Sequence, residues 1–174
     1  MTNLRKTIGF VAALGVCAAA TSCGYRFVGS GSLPPAIKRI QVPLFKNMTT
    51  RFELDLKLTQ AVINEFVARG KVEITTDAAK ADAVLVGRIL NFVVNPIAFS
   101  NQKTADRYDI TVVAEITLKA TKTDAIIYAN PAYTFRTDYQ VPQGSDFESS
   151  ESEAITSLAQ LFARSLIVVI LEGF

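Results

Sequence analysis

Between Arg107 and Ala120, Tyr108, Ile110, Val112, Ala114, Ile116 and Leu118 alternate with Arg107, Asp109, Thr111, Val113, Glu115, Thr117 and Lys119. A period of two puts successive side chains on opposite faces of a strand, so one face belongs to a core and the other is mostly wet. Such a strand needs sheet neighbours and a layer to cover its apolar side. The sequence offers both. Residues 82–94 read as a strand apolar on both alternating sets, which predicts cover on both faces, and Asn95-Pro96 is expected to break it. After a turn at Thr121 to Asp124, Ala125 to Tyr139 returns as a strand with a bulge or kink at Asn130-Pro131, where proline lacks an N–H for the ladder. Ile37 to Val42 reads as an earlier strand with Ile40 and Val42 on one face, ended by Pro43; Leu44 to Thr49 reads as loop and Lys71 to Thr75 as a short strand.

Two helices complete the pattern. The first is expected from a capping box of Thr50 and Glu53, carries Leu54, Leu58, Ala61, Val62 and Phe66 at helical spacing, and stops at Gly70. The second follows the polar loop 142–149 with a capping box of Ser150 and Glu153 and places Ile155, Leu158, Leu161, Phe162, Ser165 and Val169 along one side. Its apolar end, Leu166 to Leu171, reads as a terminal helix sunk in the core. The expected fold is α+β, a two-layer sandwich with both helices on one face of a mostly antiparallel sheet of about four strands, in a single domain over residues 36–174. On the uncovered face, either the sheet curls or something else docks.

The N-terminus has a different character. Arg5 and Lys6 precede an apolar run from Ile8 to Ala20, and small residues lead to Cys23-Gly24, the layout of a bacterial signal closed by a lipoprotein cleavage site. The run falls short of the roughly 18 to 20 apolar residues of a membrane-spanning helix. Residues 1–22 are expected to be removed, leaving Cys23 lipidated and residues 23–35 as a tether in which Gly29-Ser30-Gly31-Ser32 is flexible and Pro34-Pro35 stiff. Ala20 stands where Leu, Val or Ile is usual. The rival, Cys17, has Leu14 there but bulky Val16 directly before the cut. Gly24, in place of Asp, favours sorting to the outer membrane.

Removing 22 of 174 residues leaves 152, enough for one domain with a real core, and removes two of the 18 basic residues and none of the 16 acidic ones. The mature chain is formally neutral, which gives no sign of a nucleic-acid surface. The chain has no His, and lipidation of Cys23 leaves the mature chain no free thiol, which removes most metal-site and nucleophile chemistry and any disulfide. No cofactor motif is present: Gly29 to Ser32 has no strand before it and no helix after it, as a phosphate loop needs. No catalytic residue is assigned. Asp106 and Asp109 lie close in sequence but read as solvated surface. Lys103 and Arg107, in and after the loop between the long strands, could hold an anionic phosphate, as could Lys119 and Lys122 near the far turn, although strand ends commonly carry solvated charge. Exposed sheet edges offer a further binding mode, by strand addition.

The ordered set Cys23-Gly24-Tyr25-Arg26-Phe27, Leu33-Pro34, Ile40-Gln41-Val42-Pro43-Leu44-Phe45-Lys46-Asn47-Met48-Thr49, Leu58-Thr59, Glu65-Phe66, Ala81 to Gly87 and Tyr108 resembles the LPS-assembly lipoprotein family LptE across nearly the whole mature chain. Departures are Ala20 and the absence of the long polar C-terminal tail of some members. The resemblance implies a non-enzymatic, lipid-anchored protein on the periplasmic side of the outer membrane. Such a protein plugs a large LptD-like β-barrel, helps it assemble and contacts lipopolysaccharide. Cys23 carries over as the lipidation site, and Lys103 and Arg107 as candidate lipopolysaccharide contacts by position. The alternatives are a lipoprotein cofactor of another envelope machine, either a peptidoglycan-synthase activator or a secretin pilot, and a small lipid-anchored hydrolase. The alternating strand argues against a helical-repeat pilot, and the short tether against an activator that must cross the periplasm.

Overall fold

The computed structural model describes residues 33–99, 105–142, 145 and 147–172, with 147–150 as backbone only. The signal, Cys17, Cys23, residues 24–32 and Lys103 lie outside the described residues. In chain order the elements are β1 (Arg39–Gln41), β2 (Lys46–Asn47), α1 (Leu54–Arg69), β3 (Glu73–Ile74), β4 (Ala83–Phe99), β5 (Ala105–Ala120), β6 (Ile126–Gln140) and α2 (Phe147–Glu172). Among the described residues these form one six-stranded sheet in the order β3-β1-β4-β5-β6, with β2 beside β4.

The α+β class and the two helices agree with expectation, but the sheet is larger than four strands and mixed. β1 pairs in parallel with β3 and β4, and β2 pairs in parallel with β4, while β4, β5 and β6 are antiparallel. β1 meets β4 at Ala83 and Val84, and β2 meets it at Arg88 and Ile89, so together they make one edge of β4 interrupted at Pro43. The expected loop 44–49 thus contains a strand. Strands of two or three residues are too short to display a period, so their pairing is decided by the long strand beside them.

β5 matches its sequence pattern: Ile110, Val112, Ala114, Ile116 and Leu118 are fully buried and the intervening residues are not. The bulge in β6 is also present, since Ala114 faces Tyr133 while Ile116 faces Asn130. Asn130 Oδ1 accepts the Ala132 N–H at 3.0 Å and so satisfies a donor that the bulge frees. β4 departs from expectation twice. Asn95-Pro96 does not end it, for Pro96 pairs with Tyr108 and the strand runs to Phe99. β2 has ended by that point, so proline sits on a free edge and its missing N–H interrupts no ladder. Nor is β4 covered on both faces: Ala83, Leu85 and Ile89 are buried, whereas Val86 is 52% exposed.

The helices cover the face that carries Leu85, Ile89 and the apolar set of β5. α1 contributes Leu54, Leu58, Val62 and Phe66, and Gly70 closes it in the left-handed conformation, φ 62°, its N–H reaching the Phe66 and Val67 carbonyls. Neither capping box forms. Glu53 is itself the N-cap, at φ 58° and without a side-chain cap bond, and Ser150 lies inside α2, which begins at Phe147. The buried side of α2 is wider than expected, with Ala154, Ala159, Ala163, Leu166, Ile167, Ile170 and Leu171 joining Ile155, Leu158 and Phe162, while Leu161 is exposed. Its apolar end therefore belongs to the core. Phe162 meets Tyr133 and Phe135 edge-on, at 5.5 and 6.1 Å between ring centres, and the Tyr133 hydroxyl donates to Ser165 Oγ at 2.8 Å. Burial raises the Tyr133 pKa, which keeps that hydroxyl a donor.

One contact joins the layers. The ring of Phe45, just before β2, lies over Gly87 of β4, where an added Cβ would come within 2.7 Å of three ring carbons. Phe45 N–H donates to buried Thr59 Oγ1 of α1 at 2.9 Å, and that hydroxyl donates to the Asp55 carbonyl at 2.6 Å. A Gly87→Ala variant is expected to lose about 1 to 3 kcal/mol through overpacking, which lowers the melting temperature by roughly 3 to 10 °C. Adding Phe45→Leu should recover part of that loss. An unchanged melting temperature for Gly87→Ala would mean that the ring steps aside freely.

Candidate functional site

The opposite face of the sheet has no layer over it among the described residues. Reading across the register of β4, β5 and β6, its rows are Val84, Lys119 and Ile126; Val86, Thr117 and Ala129; Asn91, Val113 and Thr134; Val93, Thr111 and Arg136; Asn95, Asp109 and Asp138. Arg88 and Glu115 sit opposite one another and form an ion pair. Arg136 lies 3.5 Å from Asp109 and donates to Thr111 Oγ1 at 3.2 Å; Arg107 lies 3.9 Å from Asp138; Lys119 meets Asp124 in the turn at 2.8 Å. Each of these four cations thus has a carboxylate. The result is a broad surface of valines, threonines and neutralised charge.

The sites expected from sequence are distributed over this frame. Arg107 lies at one end of β5, exposed, opposite Ala98 and Gln140. Lys119 and Lys122 lie at the other end, about 40 Å away at roughly 3.3 Å per residue, so they form no joint anion site with Arg107. Asp106 and Asp109 are three residues apart on a strand and therefore face opposite sides. Asp109 is held by Arg136 on the open face, while one carboxyl oxygen of Asp106 is buried without a hydrogen-bond partner among the described residues. They make no carboxylate pair. Among the described residues no group of three His, Cys, Asp or Glu could hold a metal ion.

Two features escape a sequence reading. The tip of the β4 and β5 strands is apolar as well as basic, because Ile97 and Phe99, 53% and 64% exposed, extend β4 beside Arg107. Only the continuation of β4 past Pro96 brings them there. The second is an open groove of about 620 Å³ between the start of α1, α2 and Phe92. In it Arg51 stacks 5.5 Å from the Phe92 ring centre and pairs with Glu151, while Lys57 donates to the Ser152 carbonyl at 3.0 Å. At the base of the molecule, Asp82 accepts the N–H groups of Arg39 at 3.0 Å and Lys38 at 3.2 Å. Those hydrogen bonds hold its carboxyl below the usual range, and they tie β1 to the start of β4.

Exposed ion pairs contribute about 0 to 1 kcal/mol each, so the open face owes little of its stability to them. Asp109→Ala with Arg136→Ala is expected to shift the melting temperature by no more than about 3 °C, measured by circular dichroism. A larger loss would make the pair part of the folding machinery rather than a surface held for another purpose.

The architecture is shared with solved structures. The hypothetical protein CT253 from Chlamydia trachomatis superposes with a TM-score of 0.54 at 10% identity, over 78% of this chain and 96% of that one. The PelC dodecamer from Paraburkholderia phytofirmans gives 0.52 at 15% identity, over 84% and 94%. A protein from Xanthomonas campestris gives 0.52 at 11%, over 80% and 90%. These likenesses are to the fold. No curated protein matches the chain. Residues 37–168, which run from the approach to β1 almost to the end of α2 and carry both helices and the whole sheet, match the lipopolysaccharide-assembly family LptE, and the chain belongs to that family.

Proposed function

We propose that this protein is an outer-membrane lipoprotein that plugs the LptD-like β-barrel of the lipopolysaccharide export machine, helps that barrel assemble and touches lipopolysaccharide as it passes. Signal removal after residue 22 and acylation of Cys23 hold it at the periplasmic side of the membrane. The role is non-enzymatic and uses no cofactor. The observation that carries the reading is the uncovered sheet face, in a chain of the LptE family. The lumen of a membrane barrel is polar, and the lipid-facing band around it is about 25 Å tall. A face of threonines and small apolar residues whose charges are already neutralised by neighbours can lie against such a wall without stranding an unpaired charge. β4 alone, 17 residues long, runs about 55 Å at roughly 3.3 Å per residue. A domain anchored at one end therefore reaches through that band.

Lipopolysaccharide contact belongs to the tip. Arg107 offers a guanidinium to phosphate, Ile97 and Phe99 give apolar surface beside it, and Lys103 stands between β4 and β5 in sequence. The Arg107 pair with Asp138 is long and exposed, so a phosphate can displace it at little cost.

The test is purification of the tagged lipoprotein from mild-detergent extracts of outer membranes, followed by mass spectrometry. A single large β-barrel in equal amount, and lipid on Cys23, are expected. A cell-wall synthase, a secretin, or no partner would favour another envelope role, and lipid on Cys17 would move the cleavage site. Glu at both Lys103 and Arg107 should leave the barrel bound and reduce lipopolysaccharide retention several-fold; unchanged retention removes those residues from the contact.

A further inference from the structure

β6 is the last strand of the sheet, and among the described residues no strand pairs with its outer edge. Val141 N–H donates to the Asp106 carbonyl at 2.9 Å, and backbone groups alternate along a strand, so Tyr139, Thr137 and Phe135 turn theirs toward β5. Ala132, Thr134, Arg136, Asp138 and Gln140 turn theirs outward. At the bulge the chain blocks its own edge: the Ala132 N–H goes to Asn130 Oδ1, and the Ala132 carbonyl accepts the Thr134 hydroxyl at 3.1 Å. From Thr134 to Gln140 there is no proline, lysine or bulge, so this half is open to another strand. Thr137 Oγ1, 3.5 Å from the Asp138 carbonyl, is only a weak cover.

The charges on the open half are poorly matched within one chain. Asp109 and Asp138 stand opposite each other in the register of β5 and β6, like charge against like charge. Arg136 approaches Asp109 to 3.5 Å, which leaves Asp138 with Arg107 at 3.9 Å. A cation on the far side of Asp138 would relieve the row.

We propose that this edge pairs with the same edge of a second copy, antiparallel about a two-fold axis at Thr137. That register sets Arg136 opposite the second copy's Asp138 and Asp138 opposite its Arg136, so each acidic row gains a cation. Thr134 and Gln140 pair in the same way. All of these pairs bring outward-turned backbone groups together and give about eight hydrogen bonds across the axis. On the helical side Phe135 stands opposite the second copy's Tyr139, and both rings already pack against their own core. Moving the axis by one residue fails: centred on Arg136 it sets arginine on arginine, and centred on Asp138 it sets aspartate on aspartate. The charges therefore specify one register. A single strand pair is a small contact, so the dimer is reversible and depends on concentration. It concerns the chain by itself and rests on neither acylation nor the barrel.

The test uses the full-length lipoprotein in mild detergent, free of any barrel, carrying Thr137→Cys. Facing each other as a non-hydrogen-bonded pair, the two positions lie about 4.5 Å apart between Cα atoms, within disulfide range. Oxidation should join two copies through Thr137→Cys, and Gln160→Cys on the helical layer should not. Adding Arg136→Asp or Asp138→Arg should each lower the yield about tenfold, because like charges then meet across the axis. Mixing those two variants should restore it, since Arg136→Asp in one copy then faces Asp138→Arg in the other. No dimer through Thr137→Cys, an equal yield through Gln160→Cys, or no recovery on mixing would overturn the proposal.

Discussion

The seat of Phe45 on Gly87 is the contact on which the rest of the structure depends. A ring can lie flat on a strand only where the strand offers no side chain, and the bare backbone of Gly87 is that place. Thr59 then fixes the same ring to α1, by accepting the Phe45 N–H and donating to the Asp55 carbonyl. Sheet, β2 and helix are thereby held in one relative position, and α2 completes the layer against α1. Lys57 reaches Ser152 at one end of the helix pair, and Arg69 meets Glu172 at 3.2 Å at the other. α2 is long and apolar enough to cross a membrane by length and composition, yet more than half of that stretch is buried inside the molecule. Both helices lie on one side of the sheet, and among the described residues the three long strands are left bare on the other.

That asymmetry links the fold to the family's work. A sheet face bare of cover would carry a large apolar patch if its outward residues were Leu and Phe, and it would aggregate. Here Thr111, Thr117, Thr134 and four ion-paired cations dilute the valines, so the face is tolerable in water and undemanding toward a polar wall. The molecule is also polar along its length. Its chain enters beside β1 and β3, where Asp82 clamps the backbone of Lys38 and Arg39, and its basic, apolar tip lies a full strand length away. On the proposed function, this length would separate a lipid attachment at the chain's entry from a glycolipid contact at the tip.

How much was legible in the sequence follows from how locally each feature is determined. The alternation of β5, the bulge at Asn130-Pro131 and the Gly70 stop are set by residues within a few positions, and each stands where the pattern put it. β1, β2 and β3 depend on hydrogen bonds to strands far away in sequence, and nothing inside two or three residues announces them. Pro96 misled because a proline ends a central strand and not a free edge, and strand order is a tertiary fact. Val84 and Val86 suggested cover on both faces, but composition cannot tell a second layer of this chain from a surface kept for a partner. The two capping boxes failed for a similar reason. Thr50 and Ser150 have the right spacing to Glu53 and Glu153, but the turn around Arg51 is drawn to Phe92 and Glu151, and α2 begins three residues before Ser150. Of the expected site residues Arg107 is placed at the strand tip, whereas Cys23 and Lys103 lie outside the described residues.

The central claim is that the bare face of β4, β5 and β6 lies against the barrel. It is tested most directly in cells by photoreactive residues placed at Val86, Thr117 and Thr134 on that face, with Gln60 and Gln160 on the helical layer for comparison. Crosslinks from the three sheet positions to one barrel protein, stronger than those from the helices, are the result predicted here. Barrel crosslinks from the helical positions with none from the sheet face would contradict it.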